Sequence, residues 1–305
     1  MTGDQVRLGT LILPEHPGTT WATVWARAEE MGFDHAWTLD HLSWRVQRDQ
    51  PWFDALTTLT AAAAVTSRIE LGTLVLSPNF RHPVVTARQA MTLDHVSGGR
   101  LVLGVGAGAA GPDSTALGRP ALSPIERGAR FEEFVSLVDT LLREPTTTHT
   151  GHYFSAQDVT MVPGCVRKPR VPLGLAATGP RGMLLTAKIA DMWITIGDVD
   201  APGTESEADA FNTLRRQLAR LRAACEQVGR PPIDLRKMVN LSRIVANPYG
   251  SPERLADLVG RCADLGFTDV VVAYPRCEGI FAGDLSEFEE AVSRMQRGPV
   301  LGRND

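Results

Sequence analysis

The sequence predicts a closed (β/α)8 barrel, or TIM barrel, with one excursion between its fourth and fifth strands. Short, unbroken apolar runs alternate with segments of helical pattern along the whole chain. Unbroken runs are typical of parallel strands covered on both faces, whereas half-exposed antiparallel strands alternate in polarity. No linker-like break separates the units, which favours a closed barrel over an open sheet and a single domain over residues 1–305.

The clearest unit begins with a strand at residues 69–76, which ends at the turn sequence Ser77-Pro78-Asn79. A helix then opens at Pro83 and closes at Ser97-Gly98-Gly99, and a second strand follows at residues 101–105. Two strands joined through a helix in this way form a parallel crossover.

The other units follow the same order. The remaining strands are predicted at residues 6–13, 33–39, 172–177, 192–196, 238–245 and 269–273. The remaining helices are predicted from Thr19 or Thr20 to Gly32, at residues 54–66, from Ile125 onward, at residues 181–190 and 205–228, from Ser251 to Gly266, and from Asp284 onward. Ile125 and Leu285 are expected to face the core with the other apolar residues of their helices. Residues 144–171 are expected to form the excursion, with room for a small hairpin.

Composition narrows the class of partner. The formal net charge is −4 and no block of five like charges occurs, so neither nucleic acid nor an anionic membrane surface is expected. No apolar run reaches the length of a membrane span and no secretion signal opens the chain, which predicts a cytoplasmic protein with a small-molecule substrate. The cysteines are far apart, and zinc-binding and nucleophile-elbow motifs are absent, so disulfide, metal and hydrolase interpretations are weak.

The carboxyl ends of the strands are the place to look for chemistry in such a barrel. The second strand brings Asp40 and His41 there, where a histidine nitrogen can meet a bound ligand and a neighbouring carboxylate can set its tautomer or charge. Trp44 is expected to wall the same pocket. The alternative interpretation is that Asp40 and His41 only tie two loops together and that Trp44 packs on the first helix.

The glycine run at residues 104–111 matches the Gly-x-Gly-x-x-Gly pattern of dinucleotide sites. A dinucleotide turn opens a helix at once, but Pro112 follows here, and no second strand ends in an acidic residue about 20 residues later. The glycines are instead expected to let a flat ligand approach the backbone at the barrel mouth. A flexible loop without a ligand is the alternative.

Thr178, Gly179, Pro180 and Arg181 lie where the fifth strand meets the next helix. Backbone N–H groups at the start of that helix, its dipole and Arg181 make an anion site, so a phosphate-bearing ligand is expected. A purely structural turn is the alternative.

Four sets of residues resemble the bacterial luciferase-like flavin and deazaflavin oxidoreductases, and the resemblance covers nearly the whole chain. They are Asp40-His41, residues 71–78 with His82-Pro83, residues 92–108, and Gly179-Pro180-Arg181 before residues 190–194. The block at residues 92–108 is the most specific of them. The resemblance implies a (β/α) barrel that binds FMN or the 5-deazaflavin coenzyme F420 at its mouth, with the cofactor phosphate near Gly179.

In the deazaflavin branch the resemblance implies a catalytic group formed by His41, Asp40 and Trp44, with His41 beside the reactive ring carbon. It also implies a non-proline cis peptide at Leu74-Val75, in a bulge that contacts the cofactor ring. The cofactor-binding residues expected from the glycine run, the phosphate turn and the resemblance are Thr73, Leu74, Val75, Gly106, Ala107, Gly108, Thr178, Gly179, Pro180 and Arg181.

The leading hypothesis is therefore an F420-dependent oxidoreductase that transfers a hydride between C5 of the deazaflavin and an activated C=C, C=N or carbonyl group. His41 would give or take the proton, oriented or charged by Asp40. The alternatives are an FMN-dependent monooxygenase that uses reduced flavin and oxygen, a catalytically silent ligand-binding barrel and, more remotely, a metal-dependent barrel hydrolase.

The sequence also departs from the pattern of the sugar-phosphate dehydrogenases that it resembles. They have a glutamate just after the glycine run and a lysine in the helix after the phosphate turn, where this chain has Ala109, Ala110 and Leu184. These departures argue against a phosphorylated sugar as substrate. The resemblance further implies a homodimer.

Overall fold

The computed structural model describes residues 6–42, 44, 47–198 and 206–297. Its strands are β1 (Arg7–Leu11), β2 (His35–Thr38), β3 (Glu70–Thr73), β4 (Leu101–Gly106), β5 (Thr146–Thr150), β6 (Ser155–Thr160), β7 (Leu173–Ala176), β8 (Met192–Thr195), β9 (Arg236–Asn240) and β10 (Asp269–Ala273). Its helices are α1 (Thr20–Glu30), α2 (Ala55–Val65), α3 (Pro83–Val96), α4 (Pro112–Thr115), α5 (Pro124–Arg143), α6 (Pro180–Ile189), α7 (Glu207–Gln227), α8 (Pro252–Asp264) and α9 (Leu285–Arg297).

Eight of these strands close into a parallel barrel in the order β1-β10-β9-β8-β7-β4-β3-β2, which confirms the predicted (β/α)8 fold. Each barrel strand pairs with the next barrel strand along the chain, and β7 therefore follows β4 in the barrel although two strands separate them in the sequence. Between those two strands, β5 and β6 pair as an antiparallel hairpin within the excursion expected at residues 144–171.

Several details of the elements differ from the sequence predictions. β9 ends at Asn240 and not at residue 245, because the chain turns into a 3-10 helix and the hydroxyl of Ser242 accepts the N–H of Ala273. Ile125 is 80% exposed and Leu285 44% exposed, because each stands in the first turn of its helix, ahead of the part that packs on the barrel. Thr19 precedes α1 without a capping hydrogen bond from its side chain.

Two layers of apolar side chains stabilise the barrel. One lies between the strands and the surrounding helices. The other fills the barrel interior and consists of Leu11, Leu13, Trp37, Leu74, Val102, Met192, Ile194, Met238, Val271 and Ala273. A barrel of this size is a packed core and not a pore, so its carboxyl end offers a solid floor to a ligand.

Glycines make room for the large rings of β2. Trp37 and His35 are completely buried. A Cβ atom at Gly72 would lie 2.2 Å from the Trp37 ring, and one at Gly9 would lie 1.8 Å from Nδ1 of His35. The glycines of β1 and β3 are therefore required by the close approach of the neighbouring strand.

An ion-pair network closes the amino end of the barrel. Arg236 binds the carboxylate of Asp269 through Nε (3.1 Å) and Nη2 (2.5 Å), and it also pairs with Glu70. His35 faces the same carboxylate through Nε2 at 3.2 Å and accepts the indole N–H of Trp37 at Nδ1, at 2.7 Å. Burial alone would raise the pKa of Asp269, but its bonds to His35 and Arg236 outweigh burial and hold that pKa well below its ordinary value.

The four cysteines are unpaired, with Cys165, Cys225 and Cys262 buried and Cys277 exposed. Within the described ranges, no helix has the length and apolar character needed to cross a membrane.

Candidate active site

His41 lies at the carboxyl end of the barrel, three residues beyond β2. Its Nδ1 is 2.6 Å from Oδ2 of Asp113, which stands in the first turn of α4. The other oxygen of Asp113 accepts the N–H of Leu42 at 3.0 Å. Because a carboxylate can only accept hydrogen bonds, Nδ1 of His41 carries the proton. Asp113 therefore fixes the tautomer and the orientation of the imidazole, and Nε2 is the nitrogen left without a proton.

The expectation that Asp40 orients His41 is wrong. Asp40 is 2% exposed, and its carboxylate binds Arg81 through Nε (3.1 Å) and Nη2 (2.5 Å). Arg81 also pairs with Asp54, the N-cap residue of α2. Burial raises the pKa of Asp40, and Arg81 opposes that rise. Asp40 and Arg81 together join the loops that follow β2 and β3, and Asp113 holds the histidine.

Sequence reasoning missed Asp113 because it stands 72 residues after His41. One signal pointed to it. Pro112-Asp113 directly follows the glycine run, and proline with an acidic residue is typical of the first turn of a helix. The short helix α4 that this signal indicates is absent from the predictions.

Aromatic rings form a wall beside His41. The ring of Trp44 stacks on His41, with centroids 5.7 Å apart and planes at 8° to each other. The ring of Trp52 packs against both of them in a tilted orientation. The His41 side chain remains 33% exposed. In the part of the chain that the structure describes, nothing bonds to its Nε2. The structure thus brings His41 and Trp44 together as expected, with one imidazole nitrogen open to a ligand.

The floor of the mouth is apolar. It is formed by partly buried residues that pack on the interior layer of the barrel, among them Leu39, Val75, Ala176 and Phe281. The Leu74-Val75 peptide bond is cis, which confirms that prediction. Thr73 and Leu74 are buried, and the Thr73 hydroxyl donates to the carbonyl of Gly104 at 2.8 Å. Of the three residues expected to touch a cofactor here, Val75 is therefore the one that reaches the surface of the mouth.

The glycine run forms the rim next to this floor. A Cβ atom at Gly106 would lie 2.7 Å from the Val75 side chain, and one at Gly108 would lie 2.3 Å from the hydroxyl of Ser77. Gly108 also has a φ of 77°, a conformation that favours glycine. These glycines are needed for contact between the ends of β3 and β4, and Ala107 between them is partly exposed. That a flat ligand also requires them stays a prediction.

The amino end of α6 is open. Its N-cap residue, Gly179, has no side chain to cap the helix, and open space surrounds the position of a Cβ there. Side chains cap six other helices, namely α2, α3, α5, α7, α8 and α9, through Asp54, His82, Ser123, Ser206, Ser251 and Asp284. Free N–H groups at the positive end of a helix dipole suit an anion.

Arg181 contributes less to this anion site than expected. Its guanidinium pairs with Glu132 of α5, and its side chain is 59% exposed, so its charge is already balanced. Thr178 and Pro180 flank the open turn as the sequence indicated, with Thr178 partly buried and Pro180 exposed. Across the described residues there is no group of three or more metal-ligating side chains.

Known proteins resemble this chain in sequence and in fold. The family model described as luciferase-like monooxygenase matches residues 9–259. The F420-dependent glucose-6-phosphate dehydrogenase of Microbacterium testaceum is 38% identical over 181 residues, which are 57% of this chain and 51% of that protein. This chain thus spans about half the length of that relative.

Two solved structures share the fold. One is an F420-dependent secondary alcohol dehydrogenase in complex with an F420-acetone adduct (TM-score 0.78, 17% identity, 98% of this chain and 100% of that one). The other is the coenzyme F420-dependent tetrahydromethanopterin reductase of Methanopyrus kandleri (TM-score 0.75, 20% identity, 95% and 97%). Since the family model covers most of the sequence, the chain belongs to the luciferase-like monooxygenase family.

Proposed function

We propose that this protein is an F420-dependent oxidoreductase that transfers a hydride between C5 of the deazaflavin and an activated C=C, C=N or carbonyl group of a small organic substrate. The observation that carries the proposal is His41, whose Nδ1 is held by Asp113, whose Nε2 has no partner among the described residues, and whose ring packs on Trp44 and Trp52 beside the apolar floor. The preference for F420 over FMN is supported by the names of the relative and of the two solved structures described above.

The residues at the mouth fit such a cofactor. Val75 and Ala107 offer apolar surface to a flat ring, and the open turn at Thr178, Gly179 and Pro180 offers free N–H groups to a phosphate. When bound, F420 would supply the hydride chemistry, and the protein would supply position and protonation.

His41 would exchange a proton with the substrate through Nε2. Asp113 would keep the proton of the imidazole on Nδ1, so that the same nitrogen always faces the mouth. Trp44 would limit rotation of the ring by stacking on it. General acid or base catalysis by a positioned histidine contributes about 100- to 10,000-fold in rate.

The proposed substrate is not a phosphorylated sugar, although the relative from Microbacterium testaceum is named a glucose-6-phosphate dehydrogenase. Ala109, Ala110 and Leu184 stand where the resemblance places a glutamate and a lysine. Without those charges, the rim beside the glycine run is small and apolar.

Titration of the purified protein with F420 and with FMN tests the proposal. We expect F420 to bind with micromolar affinity and FMN to bind at least tenfold more weakly. Micromolar binding of FMN without binding of F420 would instead favour a monooxygenase that activates oxygen with reduced flavin. Binding of neither cofactor would overturn the proposal and favour the catalytically silent barrel.

A substitution at the open helix end sharpens this experiment. Gly179→Asp places a carboxylate at the N-cap position of α6. The carboxylate would cap the helix, and its negative charge would also repel a phosphate. We expect the thermal midpoint to stay equal or rise while F420 affinity falls about tenfold, or 1.4 kcal/mol. Gly179→Ser, which caps without charge, is the matched control. Unchanged F420 affinity in Gly179→Asp would show that the phosphate binds elsewhere.

A further inference from the structure

A cavity of about 280 Å³ lies beyond the carboxyl ends of β9 and β10. Its lining comes from the 3-10 turn after β9, from residues 245–249 and from residues 279–282. The cavity adjoins the candidate active site. Phe281 lines it and also belongs to the apolar floor of the mouth. A Cβ atom at Gly279, another lining residue, would lie 3.7 Å from Nε2 of Gln47, which belongs to the same loop as His41.

Arg243 stands out among the residues of this lining. It is partly buried, and within the described ranges its guanidinium forms no hydrogen bond and no ion pair. Burial lowers its pKa, and no charged neighbour changes that pKa further. Other arginines with little exposure have partners: Arg81, Arg170, Arg236 and Arg276 pair with carboxylates, and Arg100 and Arg230 donate to backbone carbonyls. A partly buried guanidinium without a protein partner can gain from an opposite charge, so we expect the partner of Arg243 to come from a ligand.

The rest of the lining offers hydrogen-bond donors and no carboxylate. The hydroxyl of Ser242 accepts the N–H of Ala273 at 2.8 Å, so its own proton is directed elsewhere. Burial, aided by Glu287, raises the pKa of Tyr249, which keeps its hydroxyl protonated and able to donate. A cavity with one unpaired cation and several donors suits an oxyanion.

We propose that Arg243 binds an acidic group of the substrate, a carboxylate or a phosphate, while the reacting part of the substrate reaches toward His41. This inference rests on the proposed function for the identity of the reaction, but the binding of an oxyanion can be tested without it. It names the substrate class as organic acids, including phosphate esters other than sugar phosphates.

The test is calorimetric titration with two probes, inorganic phosphate and acetate, which separate the two kinds of acidic group. All titrations use the Gly179→Asp background, because that substitution should weaken anion binding at the site proposed at α6. We expect one of the probes to bind, and Arg243→Gln to weaken that binding at least tenfold. Arg220→Gln is the matched control, since Arg220 is exposed in the second half of α7. Its binding constants should equal those of the background protein.

Two further measurements on Arg243→Gln alone complete the experiment. The thermal midpoint should stay equal or rise, because the variant loses a partly buried charge that has no protein partner. F420 affinity should stay within about twofold. The inference is overturned if neither probe binds, if Arg243→Gln binds the probes like the control, or if the variant unfolds several degrees lower. A parallel loss of F420 affinity would assign Arg243 to the cofactor and would also overturn it. Failure of the unsubstituted protein to bind F420 would count against the proposed function alone.

Discussion

β2 has a histidine at its first residue and another three residues beyond its last, and each meets an aspartate. At the amino end of the barrel, His35 is completely buried and uses both nitrogens, one toward Trp37 and one toward Asp269. At the carboxyl end, His41 is 33% exposed and uses only Nδ1, toward Asp113. A histidine that contacts an aspartate therefore occurs at both ends of β2, buried at the amino end and partly exposed at the carboxyl end.

The difference separates structure from chemistry. A histidine whose two nitrogens are occupied cannot exchange a proton without breaking a buried contact, so His35 serves to hold the barrel together. A histidine with one nitrogen held and the other open can exchange protons with a ligand. The amino end of a (β/α)8 barrel is the place for stability and the carboxyl end the place for reactions, and the two pairs follow that division.

The largest expected effect is on turnover at the carboxyl end. His41→Ala should lower kcat in an F420-linked assay by about 100- to 10,000-fold, because it removes the proton carrier. It should change the free energy of unfolding by less than about 1 kcal/mol and F420 affinity by less than about tenfold, since the side chain is partly exposed. Steady-state kinetics, denaturant unfolding and cofactor titration measure the three quantities. Unchanged kcat would remove His41 from the mechanism.

The matching substitution at the amino end should act on stability. Asp269→Asn leaves Arg236 and His35 beside a neutral amide in a buried site, and we expect it to lower the free energy of unfolding by about 3–5 kcal/mol. Asp113→Asn is the control on the other pair, and its cost should stay below about 1 kcal/mol because that pair is partly solvated. Denaturant unfolding of both variants gives the comparison. Equal losses would mean that the two pairs do not differ in role.

The fold was largely predictable from the sequence, because unbroken apolar runs report strands that are covered on both faces. The ends of elements were not. Ile125 and Leu285 fit the apolar stripes of their helices, but the first turn of each helix lies outside the packed surface. A periodic pattern shows which face a residue belongs to, and it carries no information on how far along the helix the core extends.

The sequence indicated where the residues of the candidate site lie in the barrel, but it did not indicate how their side chains pair. The barrel rule and the resemblance indicated His41, Trp44 and the turn at Gly179. They also made Asp40 the partner of His41, since the two residues are adjacent in sequence. Neighbouring residues at the end of a strand direct their side chains to opposite sides, so Asp40 is buried on Arg81 while His41 faces the mouth. The actual partner, Asp113, comes from another loop, and tertiary structure alone brings it close.

A substitution at Gly9, which lies beside His35, should destabilise the amino end of the barrel less than Asp269→Asn does. Gly9→Ala would place a Cβ atom 1.8 Å from Nδ1 of His35, so the imidazole must move and its bond to Trp37 must weaken. We expect a loss of about 1–3 kcal/mol in the free energy of unfolding. Gly128→Ala is the control, since open space surrounds that position within α5, and it should be neutral or stabilising by up to about 1 kcal/mol. A stable Gly9→Ala would mean that His35 moves freely in its site.

The smallest expected effect is a difference in pH dependence. The pKa of Asp269 is lower in the folded protein than its ordinary value of 3.8. Asp269 therefore contributes stability that is complete above about pH 4 and is lost as the pH falls below it, when the folded state must bind a proton that the unfolded state binds more readily. Unfolding of the native protein and of Asp269→Asn should be compared between pH 6 and pH 3. The difference between their free energies of unfolding should stay constant down to about pH 4 and become smaller below it. The other carboxylates are present in both proteins and contribute equally to both curves. Parallel curves down to pH 3 would mean that the pKa of Asp269 is the same in the folded and the unfolded protein, so that its contacts with Arg236 and His35 do not favour the ionised carboxylate.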